Sequence, residues 1–372
     1  MIELKNLIKS YGNLPVINDL SLKFPSGKIT VLVGPSGCGK TTTLEMINGL
    51  VKPDRGMVLI DGQNIAESDI ITLRRRIGYV IQEAGLFPHY TVFDNIALVP
   101  RLLKWDESRV NKRVTALLEL INIPQNRLEK YPAQLSGGQQ QRVGVARALA
   151  ADPEYLLMDE PFSALDPINR KHLQDEFLRI QSTVQKTVVF VTHDINEALK
   201  IGDYIAVMNR GKIVQFATPL EILQNPADNF VRDFVGESRR LKMLQFSTVE
   251  AILTDKMRYF PAVSTGMNPE DALEMITRLD RDYAFIRDHK GEYAGYIEQR
   301  DLLQNHHLEQ LQPRELSPVF LTTKLQTVLE NLLAAPIPAL AVVDAKNHII
   351  GSISLTDLRN FFDAESKKGD DK

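Results

Sequence analysis

The octapeptide GPSGCGKT, which begins at Gly34, lies between an apolar run, KITVLV, and a stretch with helical spacing. Gly34, Gly37 and Gly39 allow the amides of such a loop to turn inward, and the following helix directs its positive dipole end at the same point. Lys40 would neutralise β- and γ-phosphate charge, and the Thr41 hydroxyl is suited to hold Mg²⁺. The octapeptide therefore predicts an α/β fold with a nucleotide phosphate site after a strand.

Residues 1–236 alternate short apolar runs with helical stretches. The runs are rich in Val and Ile, as in IGYVIQ, EYLLMDE, TVVFVTHD and DYIAVMNRGKIV. Runs of this kind are typical of strands buried on both faces of an α/β sheet. We therefore expect one α/β domain over this range.

Acidic side chains end one of these runs, where Asp159 and Glu160 follow YLLM. A carboxylate there suits Mg²⁺ ligation beside a phosphate loop, and its neighbour can act as general base on an attacking water. His193 ends another run, which favours a place beside the γ-phosphate because open α/β sheets bind ligands outside the carboxyl ends of their strands. The alternatives are two acids before a Pro turn and a purely structural histidine.

A further glycine pair, Gly137 and Gly138, stands in LSGGQ at a predicted helix start. One phosphate loop needs only one helix N-terminus, so this pair is surplus if the chain works alone. With GPSGCGKT before it and LLMDEPFSALD after it, the segment resembles the signature of the ATP-binding cassette (ABC) ATPases, over residues 1–236. In that family two subunits meet head to tail around ATP. The resemblance implies a homodimer in which Ser136 and the glycine amides complete the partner's γ-phosphate site.

The resemblance also assigns roles to single residues. Tyr11 is expected to stack on adenine, Gln82 to touch Mg²⁺ and the attacking water, and Asp166 to contact the opposite subunit. The implied catalytic residues are Glu160, His193 and Gln82. The implied magnesium ligands are Thr41, Gln82 and Asp159. The implied ATP contacts are Tyr11, Gly34, Ser36, Gly37, Gly39, Lys40, Thr41, Thr42, Ser136, Gly137, Gly138, Gln139 and Asp166. The implied fold is a RecA-like core with a helical subdomain.

The composition argues against a nucleic-acid partner, an internal disulfide and a membrane-spanning segment. Hydrophobic residues make up 44% and charged residues 24%, and a net charge of −3 leaves no general basic surface for nucleic acid. Cys38 is the single cysteine, which excludes an internal disulfide and fits a reducing compartment. No run reaches the roughly 18 to 20 apolar residues that span a bilayer, and the N-terminus lacks signal-peptide features. We expect a chain that stays in the cytosol, forms no pore by itself and has no nucleic-acid partner, and the family resemblance implies a peripheral position on the cytoplasmic face of the plasma membrane.

The C-terminal third contains an internal repeat. YAGYIEQRDL at 293–302 aligns without gaps with IIGSISLTDL at 349–358, and the same offset of 56 residues pairs Asp288 with Asp344. Each α+β unit is predicted to form strand, helix, two strands, helix, and the two resemble a pair of cystathionine-β-synthase (CBS) domains. The expected divisions are an ABC domain at 1–236, a linker helix at 237–257, repeats at 258–312 and 313–364, and a disordered tail at 365–372.

CBS pairs often bind adenine nucleotides, so the resemblance implies a regulatory site for cyclic di-AMP or another adenine nucleotide. The family's pattern appears in the second repeat as GSISLTD, with Gly351, Ser354 and Asp357, while Asp301 occupies the corresponding place in the first. Glu298 replaces the hydroxyl residue there, which disfavours an anion in that half. Basic candidates for a nucleotide or anionic lipid are Arg281, Arg287, Arg300 and Lys324. The alternative is a dimerisation module without a ligand.

The whole pattern is similar to the ATPase subunits of bacterial importers for compatible solutes such as glycine betaine, carnitine and choline. This resemblance implies a separate membrane permease as partner and, indirectly, an extracellular solute-binding protein. Leu86, Phe87 and Val92 fall where the permease would dock, or else in the core of a small subdomain. Ergothioneine, a polyamine or another amino-acid-like solute is an alternative cargo. A cassette protein without a permease and a nucleotide-sensing regulator are alternative functions.

Overall fold

The computed structural model describes residues 1–82, 85–163, 165–254, 257, 260–304 and 312–370. The chain divides into two compact units. The first comprises Met1–Ile222 and Pro226–Val235, and the second comprises Leu223–Asn225 and Gly236–Lys372. No helix in these ranges is long and apolar enough to cross a membrane.

The first unit contains two sheets. Its strands are β1 (Ile2–Tyr11), β2 (Leu14–Phe24), β3 (Ile29–Val33), β4 (Arg55–Ile60), β5 (Gln63–Asn64), β6 (Ile77–Val80), β7 (Tyr155–Asp159), β8 (Thr187–Thr192), β9 (Tyr204–Asn209) and β10 (Lys212–Ala217). One sheet is antiparallel, in the order β2-β1-β4-β5. The other has the order β10-β9-β3-β8-β7-β6, in which β9 to β6 are parallel and β10 is an antiparallel edge.

The parallel strands bring the ends of three apolar runs to one edge. Val33 is paired with Thr192, and Asp159 with Val191, so β3, β7 and β8 finish at the same level. β3 and β8 are buried throughout, as runs without polar alternation predict. The residues that follow these strands are therefore neighbours in space.

Helices cover and connect the strands. They are α1 (Lys40–Ile47), α2 (Ile70–Arg75), α3 (Val92–Leu102), α4 (Glu107–Leu120), α5 (Gly137–Leu149), α6 (Pro167–Val184), α7 (Ile195–Ile201), α8 (Pro219–Gln224) and α9 (Asn229–Val235). Short 3₁₀ turns lie at Ile65–Glu67, Gln125–Arg127 and Pro132–Gln134. A side-chain oxygen caps the start of several helices by accepting a backbone N–H, as Thr91, Asp106, Ser136, Asp166 and Asp194 do.

The second unit repeats one arrangement twice. Its first repeat comprises β11 (Ala262–Ser264), α12 (Pro269–Arg278), β12 (Tyr283–Arg287), β13 (Tyr293–Glu298) and α13 (Gln299–Gln304). Its second comprises β14 (Val319–Phe320), α14 (Leu325–Ala334), β15 (Ala339–Val343), β16 (Ile349–Ser354) and α15 (Leu355–Asp370). Both sheets have a parallel pair followed by an antiparallel pair, with a register shift at the same place. The predicted offset of 56 residues separates α12 from α14, β12 from β15 and β13 from β16.

The two repeats share a core. Tyr283 and Phe285 of β12 pack in one buried cluster with Ala341 and Val343 of β15. The adjacent hairpins also meet, because the Asn347 side chain donates to the Tyr293 carbonyl at 3.1 Å. Neither repeat buries its apolar sheet face alone, which explains why the units occur as a pair.

The structure corrects one expectation about the flanks of this unit. The single linker helix expected at 237–257 is instead α10 (Arg239–Met243) and α11 (Val249–Ile252). The carbonyls of Leu244 and Ser247 accept the first N–H groups of α14, so they do not continue a helix. The structure describes α15 as far as Asp370, residues 371 and 372 lie outside the described part, and the disorder expected over 365–372 stays a prediction.

Candidate functional site

The loop between β3 and α1 has the conformation that its glycines permit. Gly37 and Gly39 have φ angles of 78° and 105°, which residues with a Cβ avoid. A Cβ on Gly34 would lie 2.2 Å from the carbonyl oxygen of Met208 in β9. Two glycines are therefore needed for the turn, and the third for the close approach of a neighbouring strand.

The Lys40 ammonium group lies within this loop. Its Nζ donates to the carbonyl oxygens of Gly34 at 2.9 Å and Pro35 at 3.0 Å, and the side chain is buried. These bonds offset part of the cost of burying an ammonium group and hold the charge in place. Ser36 is exposed in the loop and Thr42 is half-buried in the first turn of α1. The loop presents a fixed positive charge at the N-terminus of α1, and the two together fit phosphate.

A hydroxyl and a carboxylate face each other beside the loop. The Thr41 Oγ1 donates to Asp159 Oδ1 at 3.2 Å. Burial raises the pKa of the Asp159 carboxyl, and the nearby charges of Glu160 and Glu45 raise it further against the Thr41 bond. A cation between these oxygens would relieve that repulsion, and hard oxygen donors suit Mg²⁺.

The described residues contain no group of three or more His, Cys, Asp or Glu side chains placed to hold a metal. One hydroxyl and one carboxylate leave most of an octahedral shell for phosphate and water oxygens, as Mg²⁺ in nucleotide sites prefers. The residues present therefore fit a magnesium ion that arrives with a nucleotide.

Glu160 has a strained backbone and is fixed on two sides. Its φ is 42°, in the left-handed region that residues other than glycine seldom adopt. Its N–H donates to the Val191 carbonyl at 3.0 Å, and the Nδ1–H of His193 donates to its Oε2 at 3.0 Å. Backbone strain of this kind persists where the surroundings fix a functional geometry. The acid and the histidine predicted from separate runs are thus one hydrogen-bonded pair.

Ser163 connects Gln82 to the pair formed by Glu160 and His193. The sequence analysis did not identify Ser163 as a functional residue. Its Oγ donates to the Glu160 carbonyl at 2.9 Å and accepts from Gln82 Nε2 at 3.4 Å. Its position three residues after Glu160 in DEPFS was the only signal, and it does not distinguish a link from an ordinary turn residue. Gln82 thereby joins the group formed by Thr41, Asp159, Glu160 and His193.

LSGGQ forms a separate helix start. Ser136 caps α5, its Oγ accepting from the Gln139 N–H at 3.3 Å while Gln139 Oε1 accepts from the Ser136 N–H at 3.1 Å. The hydroxyl hydrogen of Ser136 is not used in this capping box. A Cβ on Gly137 or Gly138 would only make ordinary contacts, 3.7 Å from Leu165 and 3.5 Å from the Leu173 side chain. This chain's own packing therefore does not require the glycine pair.

Two further predicted contacts lie at the surface. Tyr11 is 52% exposed, with the Lys9 ammonium 5.5 Å from its ring centre. Asp166 is exposed and caps α6, and its carboxylate also accepts from the Asn169 side chain at 2.7 Å. Both side chains are available to a ligand or a second subunit, and neither contributes to the buried core.

The loop after Gln82 contains the apolar residues that were expected either to contact a permease or to form the core of a small subdomain. The structure shows which of them are buried. Val92 is fully buried, Leu86 is half-buried and Phe87 is 41% exposed. Asn95 fixes the loop by accepting from the Phe87 N–H at 2.9 Å and donating to the carbonyls of Phe87, Tyr90 and Thr91. Val92 is therefore subdomain core, whereas Phe87 stands outward on a rigid loop.

In the second repeat of the second unit, Ser354 and Asp357 bond to each other. The Ser354 hydroxyl donates to Asp357 Oδ2 at 2.6 Å, at the start of α15. Gly351 is a packing residue, since a Cβ there would approach Leu253 to 3.1 Å and the Met257 carbonyl to 3.3 Å. This pair lies at the start of a helix, and its contacts within the chain do not require a ligand.

The acids of the first repeat are neutralised by Arg314, which lies between α13 and β14. Its guanidinium pairs with Asp301 at 2.9 Å and with Glu298 at 3.1 Å, and Arg300 pairs with Glu298 at 2.7 Å. Arg287 lies over the Phe260 ring, while Arg281 and Lys324 are exposed. Asp301 and Arg300 are thus committed to internal ion pairs, and repulsion by Glu298 is partly offset.

Comparisons with known proteins match the two units of the chain to two different families. A family model described as ABC transporter matches residues 17–163, and a model described as CBS domain matches residues 314–364. An ATP-binding cassette solved as a dimer in a post-hydrolysis state, bound to ADP and Pi, has a TM-score of 0.53 and 34% identity. It covers 59% of this chain and 99% of its own.

Relatives extend over nearly the whole sequence. The glycine betaine/carnitine/choline transport ATP-binding protein OpuCA of Bacillus subtilis is 41% identical over 363 residues, covering 96% of this chain and 95% of the relative. The osmoprotectant import ATP-binding protein OsmV of Salmonella typhimurium is 45% identical over 307 residues, covering 81% of this chain and 80% of the relative. Similarity of this extent includes both units of the chain.

Proposed function

The chain belongs to the ABC transporter ATPases that carry CBS domains, and from that premise we propose that it energises a bacterial importer for compatible solutes. As an ABC ATPase it binds ATP with Mg²⁺ and hydrolyses ATP to ADP and phosphate. The proposal concerns the roles of its residues, its partners and its cargo.

Lys40, the loop amides and Thr41 hold the triphosphate. The Lys40 ammonium, fixed by two carbonyls, offsets charge on the β- and γ-phosphates, while the N-terminus of α1 favours the same anions. Thr41, Asp159 and Gln82 would hold Mg²⁺, which would supply positive charge against the charge that develops on the phosphates. Tyr11 stacks on the adenine from its exposed position.

Glu160 and His193 carry out the hydrolytic step. Glu160 takes a proton from a water whose oxygen attacks the γ-phosphorus, while the bond from that phosphorus to the bridging oxygen breaks and ADP leaves. His193 orients the carboxylate through Nδ1, and donation to a γ-phosphate oxygen would require a proton on Nε2 as well. Ser163 holds the Gln82 amide against the Glu160 backbone, so Gln82 orients the water relative to its base.

The glycine pair at the start of α5 carries the proposal of a shared site. Neither glycine is required by this chain's own packing, and the Ser136 hydroxyl hydrogen is left for another acceptor. We therefore assign Ser136, Gly137, Gly138 and Gln139 to the γ-phosphate of ATP on a second copy, where Asp166 also contacts the partner. ATP then stabilises the dimer, and loss of the γ-phosphate weakens it.

Phe87 is assigned to the contact with the membrane permease. It is exposed on a loop that Asn95 rigidifies, and a rigid exposed aromatic side chain is typical of interface anchors. The loop follows Gln82, so movement of the permease can reach the glutamine at the phosphates. The chain then works on the cytoplasmic face of the membrane, with solute supplied from outside by a binding protein.

Compatible solutes are proposed as the cargo because relatives named for glycine betaine, carnitine and choline match over both units. The test is ATP-driven uptake by proteoliposomes containing the chain and its co-purified permease, with the external binding protein supplied. We expect labelled glycine betaine, carnitine or choline to accumulate. Uptake of only ergothioneine, a polyamine or another amino-acid-like solute would refute the proposed cargo. The assignment of the chain as an ATPase would be unaffected.

The CBS pair is proposed to regulate hydrolysis through an adenine nucleotide such as cyclic di-AMP. Ser354 and Asp357 at the start of α15 are the candidate contacts, with Gly351 permitting the close approach of the chain behind them. A deletion should begin at Gly236, because Leu244, Val249 and Ile252 belong to the core of this unit. We expect cyclic di-AMP to change the ATPase rate of the full chain and not that of the truncated one.

A further inference from the structure

A buried carboxylate lies directly behind the turn that carries His193. Glu197 of α7 is 7% exposed, and its Oε1 accepts from the Gln174 side chain of α6 at 3.0 Å. The hydroxyl of Thr192, which is 2% exposed, donates to the same carboxylate and accepts from the Asp194 N–H at 3.1 Å. Glu197 therefore fixes the residue before His193 to helix α6.

The same helix holds the segment that precedes Asp166. Arg170 Nη2 donates to the Leu165 carbonyl at 3.0 Å and to the Ser163 carbonyl at 3.5 Å. Its positive charge also acts on the Glu197 carboxylate, and its Nε is buried without a hydrogen bond to any residue that the structure describes. Arg170 lies near the start of α6 and Glu197 near the start of α7, and Gln174 lies one helical turn beyond Arg170.

Fold stability alone does not account for an acid at position 197. Burial raises the pKa of the Glu197 carboxyl, and no side chain forms an ion pair with it in the described part of the chain. Buried charges of this kind are costly, and a neutral side chain of similar volume is often as stable or more stable. The hydrolytic mechanism above does not use the carboxylate. The hydrogen bonds of Glu197 run to Gln174 and Thr192, and those of Arg170 run to the carbonyls of Ser163 and Leu165.

We infer that Arg170 and Glu197 are positioning residues, which hold the segment before Asp166 and the turn of His193 in fixed relation across α6. This inference rests on the proposed function, because it assumes that His193 acts on one nucleotide and that Asp166 contacts the partner. Such a network would fix the positions of His193 and Asp166 relative to each other. Closure of the dimer at Asp166 would then be coupled to hydrolysis at His193. Neither residue touches substrate.

The first test uses two single variants of the full chain, Glu197→Gln and Arg170→Met. Each keeps the approximate volume and removes the charge. We expect kcat to fall about tenfold in each because a small misplacement of a catalytic group has an effect of this order or larger. KM for ATP should stay within twofold, since the phosphate loop lies outside the network. Arg170→Lys, which keeps the charge and can bond one carbonyl, should restore part of kcat.

The second test asks whether the two residues act as one unit. If they do, the double variant Glu197→Gln/Arg170→Met should lose little more kcat than either single variant. Independent local effects would instead multiply to about a hundredfold loss. In a Glu160→Gln background, each single variant should also raise the ATP concentration for half-maximal dimerisation.

Gln181→Met is the matched control for general damage to α6. Gln181 is another buried amide on the same helix, 8% exposed, and it bonds Lys186 at the far end. We expect this variant to lower Tm without changing kcat at 25 °C. Unchanged kcat in the two charge variants, multiplicative losses in the double variant, or a rise in KM alone would each overturn the inference. An inactive wild-type chain would instead refute the proposed function.

Discussion

The carboxylate of Glu160 and the imidazole of His193 lie 3.0 Å apart, although 33 residues separate them in the chain. They follow β7 and β8, which pair in parallel and finish at the same level. The adjacent Thr41 and Asp159 form a second contact of 3.2 Å at the same edge. The order of the strands, more than any local segment, therefore brings these four side chains together.

Replacing Glu160 by Gln should lower kcat by about 10²- to 10⁴-fold, the usual range for a general base. KM for ATP should change little because Lys40 and the loop amides remain. Steady-state phosphate release from the purified chain measures both constants. The exposed Glu129→Gln variant is the control, with an expected rate within twofold of the wild type. Comparable rates for the two variants would exclude Glu160 as the base.

Ser136→Arg should prevent ATP-dependent dimerisation while a single subunit still binds ATP within about twofold of the wild-type affinity. The longer side chain occupies the proposed space for the partner's nucleotide, and loss of the cap costs α5 about 1 kcal/mol. Equilibrium dialysis measures binding, and light scattering measures mass. Ser136→Thr keeps both hydroxyl and cap and should dimerise normally. Equal loss of binding and dimerisation in Ser136→Arg would place the signature in the chain's own site.

The charge of Glu197 should give stability a distinctive dependence on pH. Burial raises its pKa in the folded chain above the usual 4.5, so the folded state holds the proton more tightly than the unfolded state. The stability from this proton is fully present below pH 4.5 and is lost as the pH rises through the raised pKa. The Tm of Glu197→Gln minus that of the wild type should therefore increase as the pH rises above 4.5. Thermal unfolding scans test this, with Gln181→Met expected to show a constant difference.

Phe87→Ala should reduce uptake by the assembled transporter about tenfold, as expected for loss of one aromatic anchor at an interface. ATP hydrolysis by the isolated subunit should fall less than twofold, because the ring is exposed and Asn95 still fixes the loop. Parallel measurements of uptake and hydrolysis distinguish the two effects. Normal uptake by this variant would remove Phe87 from the permease contact.

Much of the first unit was predictable from sequence because its signals are local. GPSGCGKT specifies a turn through glycines at positive φ, and unbroken apolar runs indicate strands buried on both faces. The repeat was equally accessible, since an offset of 56 residues is preserved in both helices and strands. These features depend on residues close in sequence or on a simple periodicity.

The features that sequence reasoning missed depend on distant partners. Ser163 is an ordinary turn residue until the fold places Gln82 beside it. The stretch around Leu244 and Ser247 has helical composition, yet its carbonyls are taken by the start of α14. In the sequence, nothing distinguishes Glu197 from other acidic residues. Its side chain is buried because α6 packs against α7.

The most direct test of the shared site is the mass of the Glu160→Gln chain with ATP and Mg²⁺, measured by size-exclusion chromatography with light scattering. The variant binds ATP without consuming it, so a dimer containing two nucleotides should accumulate and should disappear when Ser136→Arg is added. Only monomer at saturating ATP, with nucleotide bound, would contradict the assignment of Ser136, Gly137 and Gly138 to the partner's γ-phosphate.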